Sequence, residues 1–137
     1  MNKRIKITNQ QALTAFTYAT DGLHDALLRE VVVCSPGFVD HQGQMVNETK
    51  ALDAKLFFQS QFKEAPAILV ELRGVSEFRF DSRLELQLDA ECGEGGVALY
   101  LSGRQFANRS FIRAEGMEYE ILGVDYLGSQ YRFVPKE

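Results

Sequence analysis

The sequence predicts an α+β domain, mostly antiparallel β, with one N-terminal helix packed on a curled sheet or sandwich of about seven to nine strands. Three observations lead there. Apolar residues alternate with polar ones over most of the chain, as expected where an antiparallel sheet has one buried and one wet face. The connections between alternating segments are of hairpin length. A helical period is confined to one short stretch near the start. With 137 residues, 45% apolar and 25% charged, the chain reads as a single domain over 1–137 that buries a core without disulfide staples.

The helix is expected over 8–19. Thr8 is placed to cap it and Gln11 stands three residues on, as in a capping box. Leu13 and Phe16 share a face, while Ala12, Ala15 and Ala19 keep the helix narrow. Asp21-Gly22 ends it. The stretch 24–34 is read as a strand, at least from Leu27. Leu23, Leu27 and Val31 also suit a helix face, but Val31-Val32-Val33 is β-branched and favours a pleated surface. Ser35-Pro36-Gly37 breaks that strand, and His41-Gln42-Gly43-Gln44 marks a turn. Residues 51–59 lean to a strand that turns at Ala65-Pro66 into the next, with a helix through Ala51, Ala54, Phe58 and Phe62 as the alternative.

Beyond Pro66 the alternation is clear. Ile68, Val70 and Leu72 face one way. A break at Gly74 precedes Phe78 and Phe80, and Leu84, Leu86 and Leu88 read as a further strand. Gly93-Glu94-Gly95-Gly96 is a turn into Val97, Leu99 and Leu101. The segment 111–122 reads as a hairpin around Glu115-Gly116. A last strand pair is expected around 124–126 and 131–133.

The composition excludes collagen, disorder and a disulfide scaffold. Cys34 and Cys92 are too few for a framework and read as small core residues of a cytoplasmic protein. The start, Met1-Asn2-Lys3-Arg4-Ile5-Lys6-Ile7, is basic but no apolar signal core follows, and no run approaches the roughly 20 residues of a membrane span. A net charge of −4 argues against a nucleic-acid binder, as do aromatics that alternate with acids rather than with Lys or Arg.

Candidate chemistry is sparse. His24 and His41 have no partner at metal-ligand spacing, and His24 and Asp25 on a strand would face opposite ways, so neither a metal nor a cofactor is expected. No Gly-x-Ser-x-Gly elbow occurs. The glycine-rich turn lacks a following Lys-Ser/Thr and is flanked by Asp89, Glu91 and Glu94, which would repel phosphate. Arg104, Arg109 and Arg113 form a basic grouping read as ordinary surface. The one concentration of charge is acidic: Glu77, Asp81, Glu85, Asp89, Glu91 and Glu94, opposed by Arg79 and Arg83. Alternation turns these acids to water, where they discourage edge pairing. Glu77, Asp81, Glu85 and Asp89 are the candidate docking residues for a basic partner.

The segment Gly22-Leu23-His24-Asp25-Ala26-Leu27-Leu28-Arg29-Glu30-Val31, with Val70-Glu71-Leu72-Arg73-Gly74-Val75-Ser76-Glu77-Phe78 later, resembles small bacterial proteins of uncharacterised families, some grouped with candidate toxin-immunity proteins. The resemblance implies a compact, mostly β cytoplasmic protein without known catalysis. In this light His24 and Asp25 form a polar pair at the corner before the first long strand, structural or ligand-binding. The expected function is non-catalytic protein binding through the acidic face, immunity-like or accessory. The alternative is a small-molecule binder or enzyme using a cavity in the curled sheet, with His24 or a buried carboxylate supplying polarity. A homodimer covering Tyr100, Leu122 and Val134 is a third expectation.

Overall fold

A computed structural model describes residues 3–47, 51–81, 83–106 and 109–133. Val134 lies outside them, as do Met1 and Asn2. The elements in chain order are β1 (Arg4–Ile7), α1 (Gln10–Ala19), β2 (Ala26–Cys34), β3 (Phe38–Val39), β4 (Met45–Val46), β5 (Leu52–Ser60), β6 (Ala67–Arg79), β7 (Asp89–Gly93), β8 (Gly96–Tyr100) and β9 (Phe111–Leu122). The architecture is α+β with one helix among the described residues. Seven strands form one sheet in the order β2-β5-β6-β9-β8-β7, with β1 also on β9 and every pair antiparallel. The ends of that path, β2 and β7, do not pair, so the sheet is open.

Strand β9 organises the sheet. Its one edge pairs with β6 from Phe111 to Leu122. Its other edge takes β8 along Phe111 to Ala114 and β1 along Met117 to Glu120. The expected hairpin at Glu115-Gly116 is therefore one continuous strand, and those two residues mark the change of partner. The backbone is tight on the β8 side of this junction. At Gly96, φ is +110°, and a Cβ would stand 2.1 Å from the Ala114 carbonyl oxygen.

The break expected at Gly74 is likewise absorbed. Residue 74 has φ +64°, which glycine tolerates, and a register shift follows between Val75 and Glu77, so β6 runs through as one bulged strand. The basic start, not read as a strand, forms β1 because Ile7 reaches the core while Arg4 meets Glu71 at 3.1 Å and Glu118 at 3.5 Å.

The helix begins later than expected. Asn9, not Thr8, caps it, its Oδ1 accepting the Ala12 N–H at 2.8 Å. Thr8 is instead the residue that follows β1. Leu13 and Phe16 are buried as the period predicts, and the Phe16 ring lies 4.5 Å from that of Tyr119. They join Leu56, Phe58, Ile68, Val70, Leu72, Leu99 and Ile112 in the main core.

Three predicted strands are absent. Leu84, Leu86 and Leu88 belong to a coil whose apolar residues dock on the core, with a lone bridge at Gln87. Their alternation reflects one-sided burial, which a coil laid on a core shares with a strand. The last pair is a 3-10 turn, Val124–Tyr126, followed by an irregular strap. Tyr126 and Phe133 pack over Phe57, Ala67 and Leu122 on the sheet's other face. The strap is anchored by Glu30, whose carboxylate accepts the N–H groups of Arg132 at 2.7 Å and Phe133 at 2.8 Å. Leu122 is thus covered from within the chain, and so is Tyr100, under Arg104 and Arg113 at 4.9 and 5.9 Å. Neither needs a second copy to cover it.

The hairpin β3–β4, between β2 and β5 in the chain, forms a separate two-stranded sheet. Phe38 pairs with Val46 and Val39 with Met45, so each face carries one apolar pair, and all four side chains are exposed.

Three stability outcomes follow. Gly96→Ala costs about 3 kcal/mol or more in urea denaturation, because backbone must move, whereas Gly95→Ala, with open space around it, stays within about 1 kcal/mol of wild type. Glu30→Ala costs about 2 kcal/mol and speeds amide exchange selectively over 124–133. The double change Phe38→Ser and Met45→Ser shifts stability by less than about 1 kcal/mol, since neither side chain is buried.

Candidate functional site

The most unusual backbone in the molecule lies between α1 and β2. Asp21, Gly22 and Leu23 have φ of 53°, 60° and 58°, a short left-handed turn, and Asp25 follows at 57°. Only glycine adopts such angles freely; a bulky residue such as Leu23 does so at a cost of order 1–3 kcal/mol unless its surroundings enforce it. Here they do. The Leu23 side chain is 1% exposed within the core. The Leu23 N–H donates to the Thr20 carbonyl at 3.0 Å, and the His24 N–H to that of Asp21 at 3.0 Å. The Leu88 N–H donates to the Gly22 carbonyl at 2.8 Å, and the Gln61 N–H to that of Asp25 at 3.1 Å. The turn is therefore a fixed platform tied to α1, to β5's end and to the coil before β7.

His24 stands on this platform. Its Nε2 lies 3.6 Å from the Asp25 Oδ2. The expectation that the pair would face opposite ways is corrected here, because the two residues precede β2 and the left-handed Asp25 breaks the alternation, folding its carboxylate back toward the ring.

Beside the platform opens a cleft of about 430 Å³ lined by His24, Arg83, Glu85, Leu86, Gln87, Ser102, Phe106 and Arg109. Three segments build it: the left-handed turn, the coil before β7, and the loop that holds the 3-10 turn Arg104–Phe106. The coil and the loop are locked together by the Gln87 N–H, which donates to the Leu101 carbonyl at 2.8 Å. The Arg109 guanidinium lies over the Phe106 ring at 4.6 Å. Stacking of this kind holds the side chain through its face and leaves its N–H groups to point elsewhere. Among the described residues, Glu85 makes no ion pair with Arg83 or Arg109, although all three line the same cleft.

On the sheet, several charges are matched. Directly paired residues share a face, so the rows Glu77–Arg113–Ala98–Glu91 and Arg79–Phe111–Tyr100–Asp89 cross one side of the β6-β9-β8-β7 region. Glu77 accepts from Arg113 at 2.9 Å. Arg104 bridges Asp89 at 2.9 Å and Glu91 at 3.1 Å, and the Tyr100 hydroxyl donates to Glu91 at 2.8 Å. The hydrogen bond from Arg104 holds the Asp89 carboxyl below its ordinary range, and those from Tyr100 and Arg104 do the same for Glu91.

The four candidate docking acids thus part company. Glu77 and Asp89 sit on this charge-matched face with β9 and β8 between them. Asp81 follows β6, its backbone N–H donating to the Ser110 hydroxyl at 2.9 Å. Glu85 alone joins His24 at the cleft. Arg104, Arg109 and Arg113, close in sequence, are also separated: two neutralise acids on the sheet and only Arg109 reaches the cleft. Sequence reading passed over Arg83, Ser102, Phe106 and Arg109, whose roles depend on a loop crossing that no local pattern encodes.

No protein-family model matches the sequence, and no curated protein or solved structure matches it. Among the described residues, no group of three or more His, Cys, Asp or Glu is placed to hold a metal, and no helix is long and apolar enough to cross a membrane. Cys34 and Cys92 carry free thiols, Cys34 exposed rather than in the core.

The matched face sets a pH outcome. Asp89 is lowered on folding, so the stability it confers is present at neutral pH and is lost only as pH falls through its folded value, below the ordinary 3.8. Removing Arg104 as Arg104→Gln raises the Asp89 and Glu91 midpoints toward ordinary carboxylate values, read by carbon-detected NMR titration of the side-chain carboxyls. Unchanged midpoints in that variant would exclude Arg104 as the cause.

Proposed function

We propose that the protein is a binding module for a small charged molecule, held in the cleft between the left-handed turn and the Arg104–Phe106 loop. One observation carries this reading: Arg83, Glu85 and Arg109 line one cleft without pairing, whereas Arg4, Arg73, Arg104 and Arg113 are spent on carboxylates. Surface charges that have a partner within reach normally take it, and a cleft that keeps donors and acceptors apart is arranged for a third party. The rigid turn supports the reading, because strained backbone held by its surroundings tends to mark functional positions. The volume lies within the usual range for small-molecule sites, roughly 300–1,000 Å³.

The protein-docking reading of the acid-rich stretch has less to draw on. Glu77 and Asp89 are already neutralised by Arg113 and Arg104, which leaves Asp81 and Glu85 to attract a basic partner.

The test is a screen of small acids, amines and zwitterions against isotope-labelled protein, followed through backbone amide resonances. Binding is expected to move resonances of 22–25, 83–88 and 102–109 together, and Arg83→Gln with Arg109→Gln is expected to weaken it at least tenfold while leaving the unfolding midpoint unchanged. Shifts confined to other surfaces, or none across the screen, would overturn the reading.

A further inference from the structure

The cleft offers opposite charges at once, and that narrows the ligand. This step rests on the binding role proposed above. A simple anion would be drawn to Arg83 and Arg109 but repelled by Glu85, and a simple cation would meet the reverse. Were the cleft meant for an anion alone, Glu85 would weaken it; were it meant for a cation alone, two guanidinium groups would. An ion pair inside the cleft would cancel both signs, but none forms there among the described residues.

The fourth feature is apolar. Phe106 is 41% exposed, and it and Leu86 give the cleft a hydrophobic wall. Arg109 lies against the Phe106 ring at 4.6 Å, so the guanidinium is held at that wall with its N–H groups available to a planar acceptor. A carboxylate matches that fork, and an ammonium group, with three donors and no acceptor, matches a carboxylate such as Glu85.

We infer that the ligand is a small amino-acid zwitterion: its carboxylate on Arg109 and Arg83, its ammonium group on Glu85, and its carbon chain along Phe106 and Leu86. A molecule carrying both charges satisfies both walls, where either charge alone leaves one side of the cleft repelled.

The experiment is a set of calorimetric and NMR titrations with two zwitterions of different charge spacing, L-leucine and 6-aminohexanoate. Each is compared with its single-charge relatives: 4-methylpentanoate and 3-methylbutylamine for the first, hexanoate and hexylamine for the second. At least one zwitterion is expected to bind at least tenfold more tightly than both of its relatives. In Glu85→Gln that zwitterion should fall to the level of its carboxylate relative, and in Arg109→Gln to that of its amine relative. Glu85 and Arg109 are both exposed, so each variant should keep the wild-type unfolding midpoint, which is measured alongside. If a carboxylate or amine binds in the cleft as tightly as its zwitterion, or if Glu85→Gln leaves the preference intact, the zwitterion inference fails while the binding site stands. If none of the six compounds moves the cleft resonances, the zwitterion inference is overturned, and the wider screen above then decides the binding site itself.

Discussion

Strand β9 is paired along both edges, and the rest of the molecule depends on how it shares the second. A strand of 12 residues with one partner on each side would give an ordinary flat-running sheet. Here β8 takes that edge from Phe111 to Ala114 and β1 takes it from Met117 to Glu120, with Glu115 and Gly116 between them. At the junction β8 begins at Gly96, seated against the β9 backbone, and β6 carries Gly74 with its bulge opposite. Both positions require a positive φ, so the junction is written into two glycines rather than into any apolar pattern. Bulges raise local twist. Two groups of strands can thus turn toward one another and share a core to which β5, β6, β8 and β9 all contribute.

That core in turn creates the cleft. Leu23 enters it and fixes the left-handed turn; Leu88 enters it from the coil before β7, and its N–H closes on Gly22. Leu101 does the same for the loop after β8, with its own N–H on the Ser110 carbonyl at 2.9 Å. Each wall of the cleft is therefore an irregular segment nailed down by a buried leucine a residue or more from the polar side chain it presents. Irregular backbone gives the freedom to aim His24, Glu85 and Arg109 at one place, and the buried leucines remove the mobility such backbone otherwise has.

The same arrangement explains what could be read from the sequence. Alternation identified β5, β8 and the first half of β6, whose alternate residues reach the core, but it read Gly74 as a break where β6 runs on with an exposed end at 76–79. It failed at 84–88, where a coil buries alternate leucines without pairing, and at 111–122, where glycine and a charged neighbour imitate a turn. It passed over β1, whose outward residues are mostly exposed and whose place is set by Ile7 and by Arg4 among the glutamates. His24 and Glu85 stood out as residue types, but their meeting did not. They are brought together by the Leu88–Gly22 hydrogen bond, a long-range contact with no local signature. Arg109 was hidden by its neighbours, since nothing in the order of Arg104, Arg109 and Arg113 separates the two that are spent on carboxylates from the one that is not.

Net charge conceals this difference. The chain totals −4, yet the side chains that produce the acid-rich stretch are not equivalent. On the sheet, Glu77 stands directly across from Arg113 in register, and Asp89 and Glu91 are met by Arg104 from the loop after β8. Such exposed pairs contribute little each, but they offset the acids Glu77, Asp89 and Glu91 on that face. In the cleft there is no ladder to impose pairing, and Arg83, Glu85 and Arg109 come from two irregular segments. Charges on the sheet are thus matched partly by register and partly by a loop arginine, whereas those in the cleft keep the separation their anchors dictate. For that reason we place the proposed binding site where acids and bases coexist without neutralising one another, rather than where acids are most numerous.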